Sequence, residues 1–349
     1  MNAKQTMRAG VFLGNRRMEL QDLLIPQPGP GEVLLKVLAC GVCGTDNHIY
    51  EGHLTAGVFP PVVLGHEIAA QVERLGEGVA EFEEGQFCAV DPVITCGRCE
   101  MCRSAKPNLC AEPTTIGYKL NGGFAQYMVV PAGKVIPMDE AVGAAGGVLC
   151  ETLACVINGY DRLGFQAGCS AMVLGAGTVG LLWATLLKRS PCSMLIQTDV
   201  VEYRRNKACA LGEIDWVLDP SDGQFEQRVR YALSDGVDYI VDATGSPEAI
   251  EQAMPLLAPG GTFMIFGVCP TGSAVRVEPF ELYNKQVKVI ASKMPPATLD
   301  RAARLIEARR IPCKQIVTAT CGLSKLVESV EGFNVHRDKQ VKVAIDPWV

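Results

Sequence analysis

Met172-Val173-Leu174-Gly175-Ala176-Gly177-Thr178-Val179-Gly180-Leu181 is the stretch on which the fold turns. An apolar run leads straight into G-x-G-x-x-G, and the helix-forming segment Leu181 to Lys188 follows at once. In that setting Gly175 permits a tight turn, Gly177 lets backbone N–H groups approach a pyrophosphate at the positive end of a helix, and Gly180 allows the helix to pack closely on the strand. Thr178 and Val179 open the helix and join the glycines as cofactor-binding candidates. A second apolar segment ends at Asp199, nineteen residues past Gly180. A carboxylate there can hydrogen-bond the two hydroxyls of an adenine ribose and repel a 2′-phosphate, so the expected cofactor is NAD rather than NADP. Arg204 and Arg205 argue the other way, because a guanidinium can receive that phosphate; their plainer reading is a solvated helix face.

Outward from this motif, apolar strands alternate with helical segments after about Glu151: Met172 to Leu174, Met194 to Thr198, Trp216 to Leu218, Tyr239 to Asp242, Thr262 to Phe266 and Val287 to Ala291. Six strands so arranged predict an α/β, doubly wound parallel sheet. The first 150 residues differ, being rich in Gly, Pro and Val with short alternating runs such as Val33 to Val37 and Gln126 to Val130, which predicts a β-rich, barrel-like domain. Leu299 to Ala308 reads as a helix and Val341 to Ile345 as a last strand, expected to return to that first domain. At 349 residues the chain exceeds one ordinary core, and two domains are expected. A net charge of −6 without Lys/Arg blocks excludes a nucleic-acid partner. The uncharged stretch Leu163 to Leu187 has the length of a membrane span, but the phosphate-binding signature inside it makes it a buried strand and helix, so no membrane association is expected. Met1 to Gly10 lacks the apolar core of a secretory signal, and the scattered cysteines fit a reducing, cytoplasmic compartment.

Four of the fifteen cysteines are not scattered: Cys96, Cys99, Cys102 and Cys110 form C-x2-C-x2-C-x7-C. Four thiolates on one loop (about 88–112) can surround a tetrahedral structural zinc. An iron–sulfur ligand run expects a tighter last spacing and a proline right after the final cysteine, whereas Ala111 and Glu112 intervene before Pro113. A second set of metal-ligand types lies in glycine-flanked turns, Cys43 in Gly41-Val42-Cys43-Gly44-Thr45-Asp46 and His66-Glu67 after Gly65.

With Gly122-Gly123-Phe124-Ala125-Gln126-Tyr127 and the Gly175 to Gly180 fingerprint, these motifs run nearly end to end in the order of a known family. The sequence resembles the zinc-dependent medium-chain dehydrogenases, the superfamily of alcohol, polyol and threonine dehydrogenases, and among them the polyol branch most closely. The resemblance implies a GroES-like catalytic domain (1–152 and 294–349), a Rossmann NAD-binding domain (153–293), two zinc ions per chain and a homodimer or homotetramer. Carried over by position, Cys43 and His66 would be catalytic zinc ligands and Glu67 a third ligand or an immediate neighbour. The fourth position is Glu151, where the alcohol dehydrogenase branch has cysteine and polyol dehydrogenases have glutamate; Cys150 is adjacent, and the alignment through Thr152 to Gly159 favours Glu151. Thr45 would hydrogen-bond the substrate oxygen, His48 would pass its proton towards solvent, and Asp46 would be an outer carboxylate. Thr244, Gly267 and Val268 follow the fourth and fifth strands, where an open α/β sheet binds its ligand, and are expected to line the nicotinamide side.

Some positions depart from the family pattern. Ala70 and Gln86 replace a glycine and an aspartate of structural turns. Lys293-Met294 stands where sorbitol dehydrogenases carry a Phe-Arg pair that contacts the polyol, which argues against sorbitol itself. A lysine there attracts an anionic or phosphorylated substrate if it faces the site and is merely solvated if it does not. The expected activity is NAD-dependent interconversion of a secondary alcohol, a polyol or sugar alcohol above all, and its ketone. Threonine-type and sugar-phosphate polyol dehydrogenases are the enzyme alternatives. A zinc-stabilised NAD-binding structural or sensor protein is the non-catalytic one.

Overall fold

The computed structural model describes residues 5–53, 57–212, 214–333 and 335–349. The chain divides into two compact units, the first made of Met1–Ala154, Pro295–His336 and Lys342–Val349, the second of Cys155–Met294 with Arg337–Val341.

The second unit is built on a six-stranded sheet in the order Trp216–Leu218, Met194–Thr198, Ser170–Leu174, Val237–Asp242, Leu257–Ile265, Lys288–Ala291. All neighbours are parallel, with the first two βα units on one side of Ser170–Leu174 and the rest on the other, which makes this a Rossmann sheet. Ser170–Leu174 is buried along its whole length, as a strand covered on both faces must be. Met172, Leu174, Ile196, Ile240 and Phe263 form its core with Val229, Ile250 and Leu256 from the covering helices. The fifth strand begins at Leu257, earlier than Thr262, because Leu257 already pairs with Val237 and a register shift absorbs Pro259-Gly260-Gly261.

In the first unit the central pair is Glu32–Gly41 against Glu67–Leu75, antiparallel, from Val33 opposite Leu75 to Gly41 opposite Glu67. Val33, Leu35, Val37, Ile68, Ala70 and Val72 face the core from these two strands. Burying side chains of this size contributes about 1.5–3 kcal/mol for each of the larger ones. Phe87–Val90 and Val135–Pro137 continue the sheet on one side, and Lys342–Asp346 and Val317–Gly322 on the other, with Tyr127–Pro131 also paired to Glu32–Gly41. The helix Leu299–Glu307 buries Leu299, Ala302, Ala303 and Ile306, the i, i+3, i+4, i+7 stripe of an amphipathic helix. Ala70 is fully buried in its strand, and Gln86 Oε1 accepts from Glu83 N at 3.2 Å within a turn.

The tail differs from expectation in one respect. Lys342–Asp346 joins the first unit, yet Arg337–Val341 packs with the nucleotide unit, where Thr178 Oγ1 donates to Val341 O at 3.3 Å. Among the described residues the helical stretch Glu140–Leu163 is long and apolar enough to cross a membrane by length and composition, and 61% of its apolar window is buried within the protein, as in a core helix. Leu163 to Leu187 forms a strand and part of a helix.

Candidate active site and metal centres

In the nucleotide unit, Gly175 has φ +96° and donates to Thr198 O at 2.7 Å, tying the turn to the end of the neighbouring strand. A Cβ on Gly180 would lie 1.9 Å from Gly175 O, so the strand-to-helix approach leaves room for hydrogen alone. Gln197 Nε2 donates to Gly175 O at 3.0 Å and braces the same carbonyl. The helix Thr178–Arg189 starts at Gly177 with no side-chain cap, which leaves its first N–H groups directed at any bound phosphate. Asp199 Oδ2 accepts from Ala176 N and Oδ1 from Val201 N, both at 2.8 Å, so the carboxylate is fixed at the rim of the loop. Arg205 donates to Asp199 O at 2.8 Å and pairs with Asp219 at 2.9 Å, which commits it to the protein. Arg204 lies against Gly177, its Nη1 3.5 Å from where a Cβ would stand, and its buried Nε has no hydrogen-bond partner. Burial lowers its affinity for a proton, opposed by Asp199 and reinforced by Arg337.

Thr244 donates through N and Oγ1 to Asp242 Oδ1 at 2.8 and 2.5 Å, and Gly267 N donates to Asp242 O at 2.8 Å. One buried aspartate therefore clamps the loops after the fourth and fifth strands, and burial raises its own pKa. Val268 is exposed beside them. Lys293 and Met294 have their carbonyls held by Asn158 Nδ2 at 3.4 and 2.7 Å.

The sulfurs of Cys96, Cys99, Cys102 and Cys110 lie within 4.8 Å of one another. Four thiolates about 2.3 Å from a tetrahedral zinc would stand roughly 3.8 Å apart, and Cys96 Sγ and Cys102 Sγ are 4.0 Å apart. Backbone donors already favour thiolate: Cys96 N, Cys99 N and Cys102 N point at Cys110, Cys96 and Cys99 sulfurs at 3.4, 3.4 and 3.5 Å. The N–H groups of Ala111 and Cys102 bring the Cys99 thiol down to about 6. The donor set fits zinc.

A second cluster of ligand atoms, again within 4.8 Å, joins Cys43, His66 and Glu67. Cys43 precedes the helix Gly44–Tyr50, and Asp46 Oδ2 accepts from Cys43 N at 2.9 Å, fixing the turn that presents the sulfur. Asp46 Oδ1 is 3.6 Å from His66 Nδ1, and both atoms are buried without a hydrogen-bond partner, the pairing in which a carboxylate orients a ligand imidazole from its other ring nitrogen. Thr45 Oγ1 is 3.7 Å from Cys43 Sγ. His48 is one turn further along the same helix face, its ring 6.0 Å from that of His53. Burial, with His53 adding, holds His48 below the ordinary histidine value of 6.5. Glu67 carries more partners than expected: Thr152 Oγ1 donates to its Oε1 at 2.7 Å, and Lys342 forms a buried ion pair with Oε2. Lys342 Nζ also donates to Val42 O at 3.0 Å. Despite burial, which pushes it up, the Lys342 charge holds the Glu67 carboxyl below its usual range. Glu151 is buried but outside this group of mutually close ligand atoms; Thr152, one residue on in the helix Gly143–Leu163, is the residue turned to Glu67.

Two members of the site were not read from the sequence. Lys342 comes from the tail strand, and Tyr118 sets its ring edge-on to His66 with centroids 5.4 Å apart. Burial pushes the Tyr118 hydroxyl well up.

A Rossmann unit joined to a β-rich unit with thiolate metal-binding groups defines a class, the zinc-binding nucleotide-linked oxidoreductases. Comparison with known proteins narrows it. Residues 29–140 match the model of the alcohol dehydrogenase GroES-like domain and residues 178–308 that of the zinc-binding dehydrogenase domain. D-altritol 5-dehydrogenase of Agrobacterium fabrum is 32% identical over 328 residues, covering 92% of this chain and 94% of that protein. L-threonine 3-dehydrogenase of Pyrococcus furiosus is 36% identical over 261 residues, 72% of this chain and 73% of that one. A zinc-binding dehydrogenase of Sinorhizobium meliloti 1021, solved bound to NADP, superimposes with a TM-score of 0.94 at 31% identity, covering 98% of this chain and all of that one. The chain belongs to the zinc-dependent medium-chain dehydrogenases.

Proposed function

We propose that the protein is an NAD-dependent dehydrogenase that interconverts a secondary alcohol, a polyol or sugar alcohol, and its ketone. The observation that carries this reading is the convergence of Cys43, His66 and Glu67 with Thr45 beside them, one thiolate, one imidazole and one carboxylate around a space next to a hydroxyl. Cys43, His66 and Glu67 would hold a catalytic zinc, with Glu151 the candidate fourth ligand, and Cys96, Cys99, Cys102 and Cys110 a structural one. Zinc bound there supplies Lewis-acid polarisation of the substrate oxygen, which lowers the alcohol's pKa. Thr45 accepts the hydroxyl proton and His48 carries it towards solvent; its lowered pKa keeps the imidazole neutral and able to accept near pH 7. Asp46 holds Cys43 and faces His66, while Lys342 and Thr152 fix Glu67. Gly175, Gly177, Thr178, Val179, Gly180 and Arg204 cradle the dinucleotide, Asp199 takes its ribose, and Thr244, Gly267 and Val268 lie on the nicotinamide side, where the oxidised ring supplies the hydride acceptor.

The polyol choice is supported by Glu151, at the position where polyol dehydrogenases have glutamate, and by the altritol dehydrogenase relative. The threonine dehydrogenase relative favours an amino alcohol as the second reading. NAD is supported by the fixed carboxylate of Asp199, which would meet a 2′-phosphate. All fifteen cysteines are free, in keeping with a reducing, cytoplasmic setting. The test is purified protein with NAD or NADP and a panel of polyols, sugar phosphates, threonine and simple secondary alcohols, followed by NADH absorbance. Turnover confined to polyols with NAD supports the reading in full, and turnover on threonine replaces the substrate. No turnover by protein carrying two zinc ions per chain leaves the non-catalytic alternative.

A further inference from the structure

Asp242 ends the fourth strand of the nucleotide sheet, Val237–Asp242, and pairs with Leu174, the residue before the Gly175 turn. These two strands flank the point where the strand order reverses, and an open α/β sheet binds its ligand in the crevice there. The aspartate has no exposed surface. Its Oδ1 accepts from Thr244 N, Thr244 Oγ1 and Gly245 N at 2.8, 2.5 and 3.3 Å, and its Oδ2 from Gly245 N at 3.2 Å. A Cβ on Gly267 would stand 2.8 Å from Oδ2, so the loop after the fifth strand lies against the carboxylate.

Every donor to this carboxylate is neutral. Among the described residues, the groups that act on its ionisation besides burial are Thr244 and Gly245, with no Lys, Arg or His. Asp199, at the end of the second strand, differs in having Arg205 on its carbonyl and Arg204 within its field. Burying a carboxylate without a counter-charge is unfavourable, and a neutral amide would accept from Thr244 N and Oγ1 with the same geometry at lower cost. The clamp alone does not account for the charge. Its field extends to the loop that carries Val268: burial first and Asp242 second push the thiol of Cys269, the next residue, up. An oxidised nicotinamide ring carries a positive charge that reduction removes. Within the proposed reaction, on which this inference rests and in which these loops line the nicotinamide side, we propose that Asp242 is a buried counter-charge to the oxidised ring. Its carboxylate then strengthens the binding of NAD+ and not that of NADH.

The test measures dissociation constants of the full chain by calorimetry with four probes: NAD+, NADH, ADP-ribose, which has no ring, and the benzamide analogue of NAD+, whose planar ring keeps the carboxamide and lacks the charge. Wild-type protein should bind NAD+ at least about fivefold tighter than the benzamide analogue, the scale of one partly screened charge pair. Asp242→Asn keeps an acceptor for Thr244 and removes the charge. NAD+ should then weaken by at least about fivefold while the other three probes change by less than about twofold, so that the preference over the benzamide analogue disappears. A clamp without an electrostatic role would weaken NAD+, NADH and the benzamide analogue together. The wild-type comparison decides the matter even where the variant fails to fold, which ADP-ribose binding reports. Equal wild-type affinity for NAD+ and the benzamide analogue, or parallel losses in Asp242→Asn, overturns the counter-charge and leaves the proposed reaction standing. Wild-type protein that binds no nicotinamide dinucleotide in either redox state refutes the proposed reaction itself.

Discussion

Replacing Lys342 with methionine isolates the buried ion pair. Lys342 is 3% exposed and Glu67 1%, so neither charge has water to fall back on. Methionine fills similar volume but leaves Glu67 with the Thr152 hydroxyl alone and deprives the Val42 carbonyl of its 3.0 Å donor. Removing one partner of a buried pair costs about 3–5 kcal/mol, and an orphaned carbonyl belongs to the same loss at about 1–3 kcal/mol. The expected destabilisation of the first unit is about 3–5 kcal/mol, at the lower end when zinc offsets the carboxylate. With a urea dependence of about 2 kcal/mol per molar the midpoint moves down by roughly 1.5–2.5 M. The assay is urea titration with pulsed alkylation of Cys40 and Cys88, both fully buried in this unit, read by peptide mass. Adding Glu67→Gln to Lys342→Met should recover about half the loss or more, because the stranded charge is then gone. A single variant within about 1 kcal/mol of wild type, or a double variant no better than the single, refutes the reasoning.

Three further outcomes are expected. Gly180→Ala places a methyl 1.9 Å from Gly175 O, so NADH binding followed by fluorescence should weaken by at least about tenfold. His48 protonates below its ordinary 6.5, and a protonated imidazole cannot accept the relay proton, so kcat/KM should fall as pH drops through a value under 6.5; in His48→Gln that limb should disappear at lower overall rate, and a limb that persists assigns it elsewhere. Cys99→Ser breaks the four-thiolate set and should reduce zinc, measured by elemental analysis, from two ions per chain to one while the Cys43 site stays loaded.

The Rossmann sheet was legible because its inner strands are covered on both faces and their cores read as apolar runs; after Ser170, the strand Ser170–Leu174 is apolar on both faces. The fingerprint was legible for a related reason, since a carbonyl at 1.9 Å tolerates only glycine and the constraint appears as a letter. The thiolate group is local, all within one loop, so spacing reports it. Lys342 is the opposite case. Its partnership with Glu67 exists only because Ala344 pairs with Gly41 and Gly41 with Glu67 across three strands, and no local pattern marks that lysine as buried. Tyr118 sits in a Gly-rich turn whose side-chain directions depend on backbone bonds to residues 63–65. Glu151 and Glu67 could not be ranked by spacing either, because the difference is a matter of helix phase, which turns Thr152 to Glu67 instead of its neighbour.

The tail strand also bears on how the molecule is made. Lys342 Nζ meets Val42 O across 300 residues of chain. At about 5–20 residues per second, the ribosome needs roughly 15–60 s to deliver that partner. All six strands of the nucleotide unit lie between residues 170 and 291, so that sheet has every strand in hand before the tail strand is made. The first unit meanwhile has an open sheet edge at Cys40 and Gly41 and a carboxylate awaiting its counter-charge. The chain is therefore built with its cofactor unit able to form early and its metal-binding unit closed last, and nascent chains stalled before Lys342 should be the ones that seek chaperones or incoming strands.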